Sequence, residues 1–187
     1  MKTINRYLLT TVVAVAGLTG MTQADDDGDE GRSLLPWGSN ALPGVALVNN
    51  PLYQNECGSC HMAYQPGLLP AQSWEKLMYG LEDHFGENAA LPKSERNAVL
   101  GYLLNNAAGR SNYRVSNKLV RNIREAPLRI SELPYFVHEH REIPDRLVRG
   151  NPKVGSFSNC DSCHTGAQRG SYDEHQINIP GYGRYDD

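Results

Sequence analysis

Long apolar stretches are nearly missing from this 187-residue chain, and cysteine, methionine, phenylalanine and tryptophan are scarce, at four, four, three and two residues. The one apolar run, Tyr7 to Leu18, is about a dozen residues long, short of the roughly 20 a membrane-spanning helix needs. No later segment is apolar enough to span a bilayer, which argues against an integral membrane protein. A surplus of basic charge is also missing. Eighteen Lys and Arg against 21 Asp and Glu leave a formal charge of −3, without the positive surface that nucleic-acid phosphates require, so nucleic acid is not an expected partner. No β-rich run surrounds Cys57, which removes the βαβ setting of a thioredoxin-like redox pair.

The few cysteines that exist are all in one pattern. Cys57-Gly58-Ser59-Cys60-His61 and Cys160-Asp161-Ser162-Cys163-His164 are two copies of Cys-x-x-Cys-His. On a helical turn two thiols three residues apart reach the vinyl groups of a haem, and the following histidine, on the same face, points at the iron. With six histidines in the chain, one follows a given Cys-x-x-Cys by chance about 3% of the time, and follows both about 0.1% of the time. A zinc ribbon also pairs such knuckles, but about 15–20 residues apart, whereas 103 separate Cys57 from Cys160. Two covalently attached c-type haems are the expected cofactors, held by Cys57, Cys60, Cys160 and Cys163, with His61 and His164 as proximal ligands.

The N-terminus supplies the compartment that haem attachment needs. Lys2 and Arg6 precede the apolar run, and Thr22-Gln23-Ala24 follows it. This reads as a secretory signal peptide (residues 1–24) cleaved after Ala24, which places the mature protein in the periplasm. Retention of the run would instead make it a membrane anchor, and peripheral membrane contact is compatible with either outcome. Losing two of the 18 basic residues and no acidic one leaves the mature chain at −5. Residues 25–50 read as a solvated acidic tail, Asp25 to Glu30, and an extended lead-in. The acids lack the alternating spacing and later glutamate of a calcium loop.

The remainder predicts a mainly α protein with two small haem-binding lobes, 51–115 and 116–187, the first resembling a class I cytochrome c. Ser73 is positioned to cap a helix in which Trp74, Leu77, Met78, Leu81, His84 and Phe85 recur at spacings of three and four, with Gly86 as its stop. A second helix is expected from Ser94 to Ala108, with Val99, Tyr102 and Leu103 inward. A third is expected after Ser131, with Pro134 in its first turn and Pro144 ending it. The tail Tyr172 to Asp187 suggests no regular element. The segment Arg110 to Arg129 carries +5. If helical, it aligns its charges on one face, either a solvated, propionate-neutralising surface or a docking patch for an acidic redox partner.

The open side of each iron decides between electron transfer and chemistry at a vacant position. His84 extends the apolar Trp74, Leu77, Leu81 stripe and is the expected distal ligand of one haem; Met78 is the alternative on that stripe. His138 and His140 lie about 200° apart around a helix, so one iron sees only one of them. His140 shares the stripe of Leu133, Phe136, Val137 and Ile143 and is favoured, with His138 as the alternative. His175 lies in a polar stretch. The Pro66 carbonyl is, by position, a candidate acceptor for the second N–H of His61.

Several segments together resemble the dihaem cytochrome c family, whose members include the partner of the oxygen-binding sphaeroides haem protein. They are Glu56 to His61, Leu68-Leu69-Pro70, Ser73-Trp74, His84-Phe85-Gly86-Glu87, Tyr102-Leu103, Leu133 to Phe136, His140 to Ile143, Cys160 to Gly166 and Tyr172-Asp173. The resemblance covers nearly the whole mature chain. It implies mostly helical haem domains, bis-histidine coordination and electron shuttling in the periplasm. It also implies a membrane quinol-linked cytochrome as donor and an oxygen-binding monohaem cytochrome as acceptor. The expected function is therefore a soluble electron carrier. The rival is a dihaem peroxidase or other haem oxidoreductase with one open iron, which the surplus of spare histidines disfavours.

Overall fold

Asn50 starts the first helix: its side-chain oxygen accepts from the Tyr53 amide at 2.9 Å, and Pro51, whose fixed φ suits a first helical position, follows it. The computed structural model describes residues 42–185. The expected signal peptide, acidic run and first part of the lead-in lie outside the described residues. Helix α1, Pro51–Cys57, runs directly into the first Cys-x-x-Cys-His motif, so the first thiol stands on its last turn. Gly58 caps it, donating to the Gln54 carbonyl at 2.9 Å. A Cβ on Gly58 would stand 2.3 Å from that carbonyl, so this position of the motif accepts only glycine without a shift of the backbone.

Helices α2, Ala71–Tyr79, and α3, Lys93–Asn106, pack against each other. The α3 boundaries lie close to those expected, and Val99 and Leu103 on its inner face are fully buried. The helix expected from Ser73 to Phe85 is broken. It begins earlier, at Ala71, while Ser73 is buried, its hydroxyl without a partner among the described residues, instead of acting as a cap. It also stops at Gly80, whose amide reaches the Lys76 and Leu77 carbonyls, both at 3.1 Å. Leu81–Asp83 then forms a 3-10 turn. His84 follows in a tight turn, its amide bonded to the Glu87 carbonyl at 2.7 Å and its carbonyl accepting from the Glu87 amide at 3.3 Å.

Helix α4, Arg114–Leu119, is only six residues long. Asn122 then adopts φ 57°, and the following segment proceeds in turns, so the arginines between Arg110 and Arg129 do not form one helical stripe. Helix α5, Pro134–His140, starts on its proline, the residue whose missing N–H suits that position. Ser131, the expected cap, lies instead in the preceding 3-10 turn Ile130–Glu132. The tail, expected to be irregular, contains a small hairpin: β1, Asn178–Ile179, pairs antiparallel with β2, Gly183–Arg184.

Twelve buried side chains form the larger core cluster, among them Tyr53, Trp74, Met78, Val99, Leu103, Leu119 and Leu133. A second cluster has only three, Val148, Val154 and Ile179. The lead-in ties distant segments together. Leu42 pairs with Tyr113 in a parallel bridge, and the Val45 amide donates to the Gly170 carbonyl at 3.0 Å. Gly44 and Gly170, at φ 68° and 73°, permit this approach: a Cβ on Gly44 would stand 2.0 Å from the Gly170 carbonyl oxygen. No described helix is long and apolar enough to cross a membrane.

Candidate functional site

The first motif delivers Cys57 from the end of α1, partly buried, with Cys60 exposed on the turn beyond it. The ring of His61 faces the ring of His84, their centres 6.3 Å apart and their planes inclined by 25°. Nδ1 of His61 lies 2.8 Å from the Met62 carbonyl. A carbonyl only accepts, so Nδ1 is the donor in this bond. The expected acceptor, the Pro66 carbonyl, is occupied instead by the Trp74 indole N–H at 2.8 Å. His84 is placed by the turn after α2 rather than by a continued helix, and its Nδ1 is buried without a partner among the described residues. Burial lowers its pKa, helped by His61 and Arg129, so the ring is neutral at neutral pH. The Arg129 guanidinium lies 3.8 Å over the ring of the neighbouring Phe85. Met78 is in the larger core cluster, 3% exposed.

The second motif forms a 3-10 turn, Cys160–Ser162, and the His164 amide donates to the Cys160 carbonyl at 2.8 Å. That bond keeps the histidine on the same turn as the first thiol. His164 and His140 have ring centres 6.0 Å apart. One pocket brings both rings together with Cys160 and Cys163. Its walls are mainly apolar, from Ile143, Val148, Phe157, Ile177 and Ile179, as a flat macrocycle requires. His140 is fixed on three sides. Its ring stacks on Phe136 at 3.8 Å, meets Phe157 edge-on at 6.0 Å, and places Nδ1 2.9 Å from the Phe136 carbonyl. Nδ1 of His164 is buried and unpartnered among the described residues. Burial, followed by the neighbouring His140, pushes the His164 pKa down to about 4. His138 is exposed on the other side of α5, its Nδ1 3.2 Å from Glu139 Oε1, and His175 is exposed in the 3-10 turn Glu174–Gln176.

An ion bound about 2 Å from each of two imidazole nitrogens, with about 1.1 Å from nitrogen to ring centre, separates the ring centres by roughly 6 Å. Both pairs meet that spacing. Among the described residues no group of three or more His, Cys, Asp or Glu is placed to hold a metal. Two opposed imidazoles without further protein donors suit an iron whose remaining four ligands come from a porphyrin. Burial, aided by Glu56 at Cys57 and Asp161 at Cys160, pushes both pKa values up to about 11.

Periodicity gave no notice of four residues around these sites. Tyr64 and Tyr172 have rings 4.9 Å from His61 and 5.4 Å from His164, Phe157 flanks His140, and buried Gln65 is hydrogen-bonded to Tyr172. Tyr64 follows its histidine by three residues and Tyr172 follows His164 by eight, whereas Phe157 lies 17 residues beyond His140 and Gln65 bonds to Tyr172 across 107 residues.

A helical frame with two tethering motifs and two opposed imidazole pairs defines a c-type cytochrome with two haem sites. The dihaem cytochrome c family model matches residues 53–172, and the chain belongs to that family. It binds two covalently attached c-type haems, and its class is that of electron carriers with redox partners. It is similar to the diheme cytochrome type c of Shewanella baltica OS155, with 43% identity over 73% of this chain and 98% of that one and a TM-score of 0.62. It is also similar to the diheme cytochrome c of Rhodobacter sphaeroides, with 46% identity over 67% and 98% of the two chains and a TM-score of 0.58. Comparison with curated proteins finds no match.

Proposed function

We propose that this chain is an exported periplasmic electron shuttle, its signal peptide removed after Ala24, in which both irons are held between two imidazoles. Cys57 and Cys60 would attach the first haem, with His61 and His84 as the histidines that hold its iron. Cys160 and Cys163 would attach the second, with His164 and His140. The observation that carries this reading is the pair of ring separations, 6.3 and 6.0 Å. The polypeptide divides into two lobes, 51–115 and 116–187, the first of the class I cytochrome c type. A membrane quinol-linked cytochrome is the proposed donor and an oxygen-binding monohaem cytochrome the acceptor.

Bound haems would supply one-electron redox chemistry. His61 with His84 and His164 with His140 would hold the two irons and so keep oxygen and peroxide from the metal. Histidines on both faces, with no methionine, favour a comparatively low potential. They also require no ligand exchange between oxidation states, so little structure has to reorganise. Phe136 and Phe157 hold His140 in place, and the apolar walls of the second pocket exclude water.

The enzyme alternative needs one iron with a single imidazole. Carbon monoxide added to the reduced protein separates the two readings. The expected result is an unchanged optical spectrum, because each iron would already be held by two histidines. A carbon monoxide adduct at either haem contradicts the shuttle reading.

A further inference from the structure

Two short stretches of chain that bound the pocket of the second motif have two different faces. Inward, Val148, Ile177 and Ile179 line that pocket together with His140 and His164. Outward, their neighbours in sequence, among them Arg146, Leu147, Lys153, Pro180 and Tyr182, line an open cleft of about 260 Å³. A single layer of polypeptide therefore separates the cleft from the pocket.

The cleft is held in shape without a partner. Asn151 ties its two walls: Nδ2 donates to the Pro180 carbonyl at 2.8 Å, Oδ1 accepts from the Lys153 amide at 3.1 Å, and its own amide donates to the Val148 carbonyl at 3.1 Å. Gly150 lets the loop turn this tightly, since a Cβ there would stand 3.0 Å from Arg146 Cα. A surface already ordered loses little freedom when something docks on it.

The charge of the cleft is of one sign. Its lining contains two cations, Arg146 and Lys153, and no carboxylate, and neither cation has an ion-pair partner among the described residues. The adjacent Asp145 is engaged by Arg149, whose guanidinium lies 5.1 Å over the ring of Phe157, the neighbour of His140. Tyr182, 58% exposed, also lines the cleft. An exposed tyrosine is apolar along its ring and polar at its tip, the kind of side chain that anchors protein interfaces. The whole chain carries a formal charge of −3, so an acidic protein is repelled by much of this molecule and attracted at this cleft.

We propose that the cleft is the docking surface for an acidic redox protein, one whose cofactor edge is rimmed by carboxylates, and that electrons cross between the two proteins here, beside the second haem site. This rests on the reading of Cys160 to His164 as a haem attachment site. One electron passes: the donor's cofactor is oxidised, the second iron is reduced, and no bond is made or broken. Arg146 and Lys153 steer and orient the partner, and contacts of this kind govern the association rate and weaken as salt is added.

The test uses the full-length holoprotein, with reduced plant-type ferredoxin, an acidic low-potential one-electron protein, as the probe in stopped flow. Arg146→Glu with Lys153→Glu lowers the second-order rate of haem reduction about tenfold at low salt, and its rate converges with that of the unmutated protein at high salt. Arg121→Glu with Arg124→Glu changes the net charge equally at two exposed positions elsewhere and has a much smaller effect. Reduction by photogenerated lumiflavin semiquinone, small and uncharged, is the same in all three proteins, which separates docking from damage to the haem. If charge reversal does disturb the haem, Arg146→Gln with Lys153→Gln decides by the same comparison. An unchanged ferredoxin rate in the cleft variant, or an equal loss in both charge-reversed variants, overturns the docking surface. Weakened binding of the cleft variant to anionic vesicles with an unchanged ferredoxin rate assigns the cleft to a membrane and overturns it too. If the unmutated protein lacks two low-spin haems, the shuttle reading fails and the docking surface with it. Two intact low-spin haems with an unaltered rate in the cleft variant dismiss the docking surface alone.

Discussion

Replacing His140 with alanine turns the C-terminal haem high-spin and open to carbon monoxide, while the N-terminal haem keeps its low-spin spectrum. His84→Ala has the reverse effect. On the proposed ligation each substitution leaves a single imidazole on one iron, because no other side chain among the described residues is placed to take over. His138 is about 200° around the helix from His140 and is bonded to Glu139, so its ring cannot turn toward His164 without rebuilding α5. Met78 is packed in the larger core cluster and would have to leave it to replace His84. The change is large, converting one haem of the two completely. Optical and EPR spectra of the two variants measure it, and a fully low-spin spectrum surviving both substitutions refutes the ligand assignment.

A double substitution, Cys160→Ser with Cys163→Ser, removes more than a cofactor. The C-terminal cluster contains three buried side chains against twelve in the larger one. Ordering a residue costs about 1–2 kcal/mol in backbone entropy, so three side chains cannot hold a segment of this length without additional apolar surface. The pocket walls from Ile143, Val148, Phe157, Ile177 and Ile179 are positioned to pack on a bound porphyrin. The variant is therefore expected to lose the mass of one haem and to become protease-sensitive beyond α5, with the larger cluster still folded. Intact mass and limited proteolysis measure both effects. Continued protection of residues 141–185 would show that the haem is not the missing core.

The attachment motifs were legible because everything they need lies within five residues. His140 was separable from His138 because both lie on α5, a continuous helix in which the 3.6-residue period applies. His84 was chosen by extending a helix that Gly80 ends, yet the 3-10 turn that follows still brings its ring to His61. The basic stripe failed for the opposite reason: α4 is six residues long, and a face cannot be continued through turns. The tail hairpin, with strands of two residues, is too short to show an alternation of period two. Tyr64, Gln65 and Tyr172 act through contacts that span about a hundred residues, and no local pattern encodes such partners.

The pairing of imidazoles at each iron is tested most directly by low-temperature EPR of the oxidised, purified protein. Two low-spin ferric signals of the bis-imidazole type, together accounting for both haems and without a high-spin component, are expected. A high-spin signal from either haem, or a signal requiring a sulfur ligand from methionine, would contradict the account.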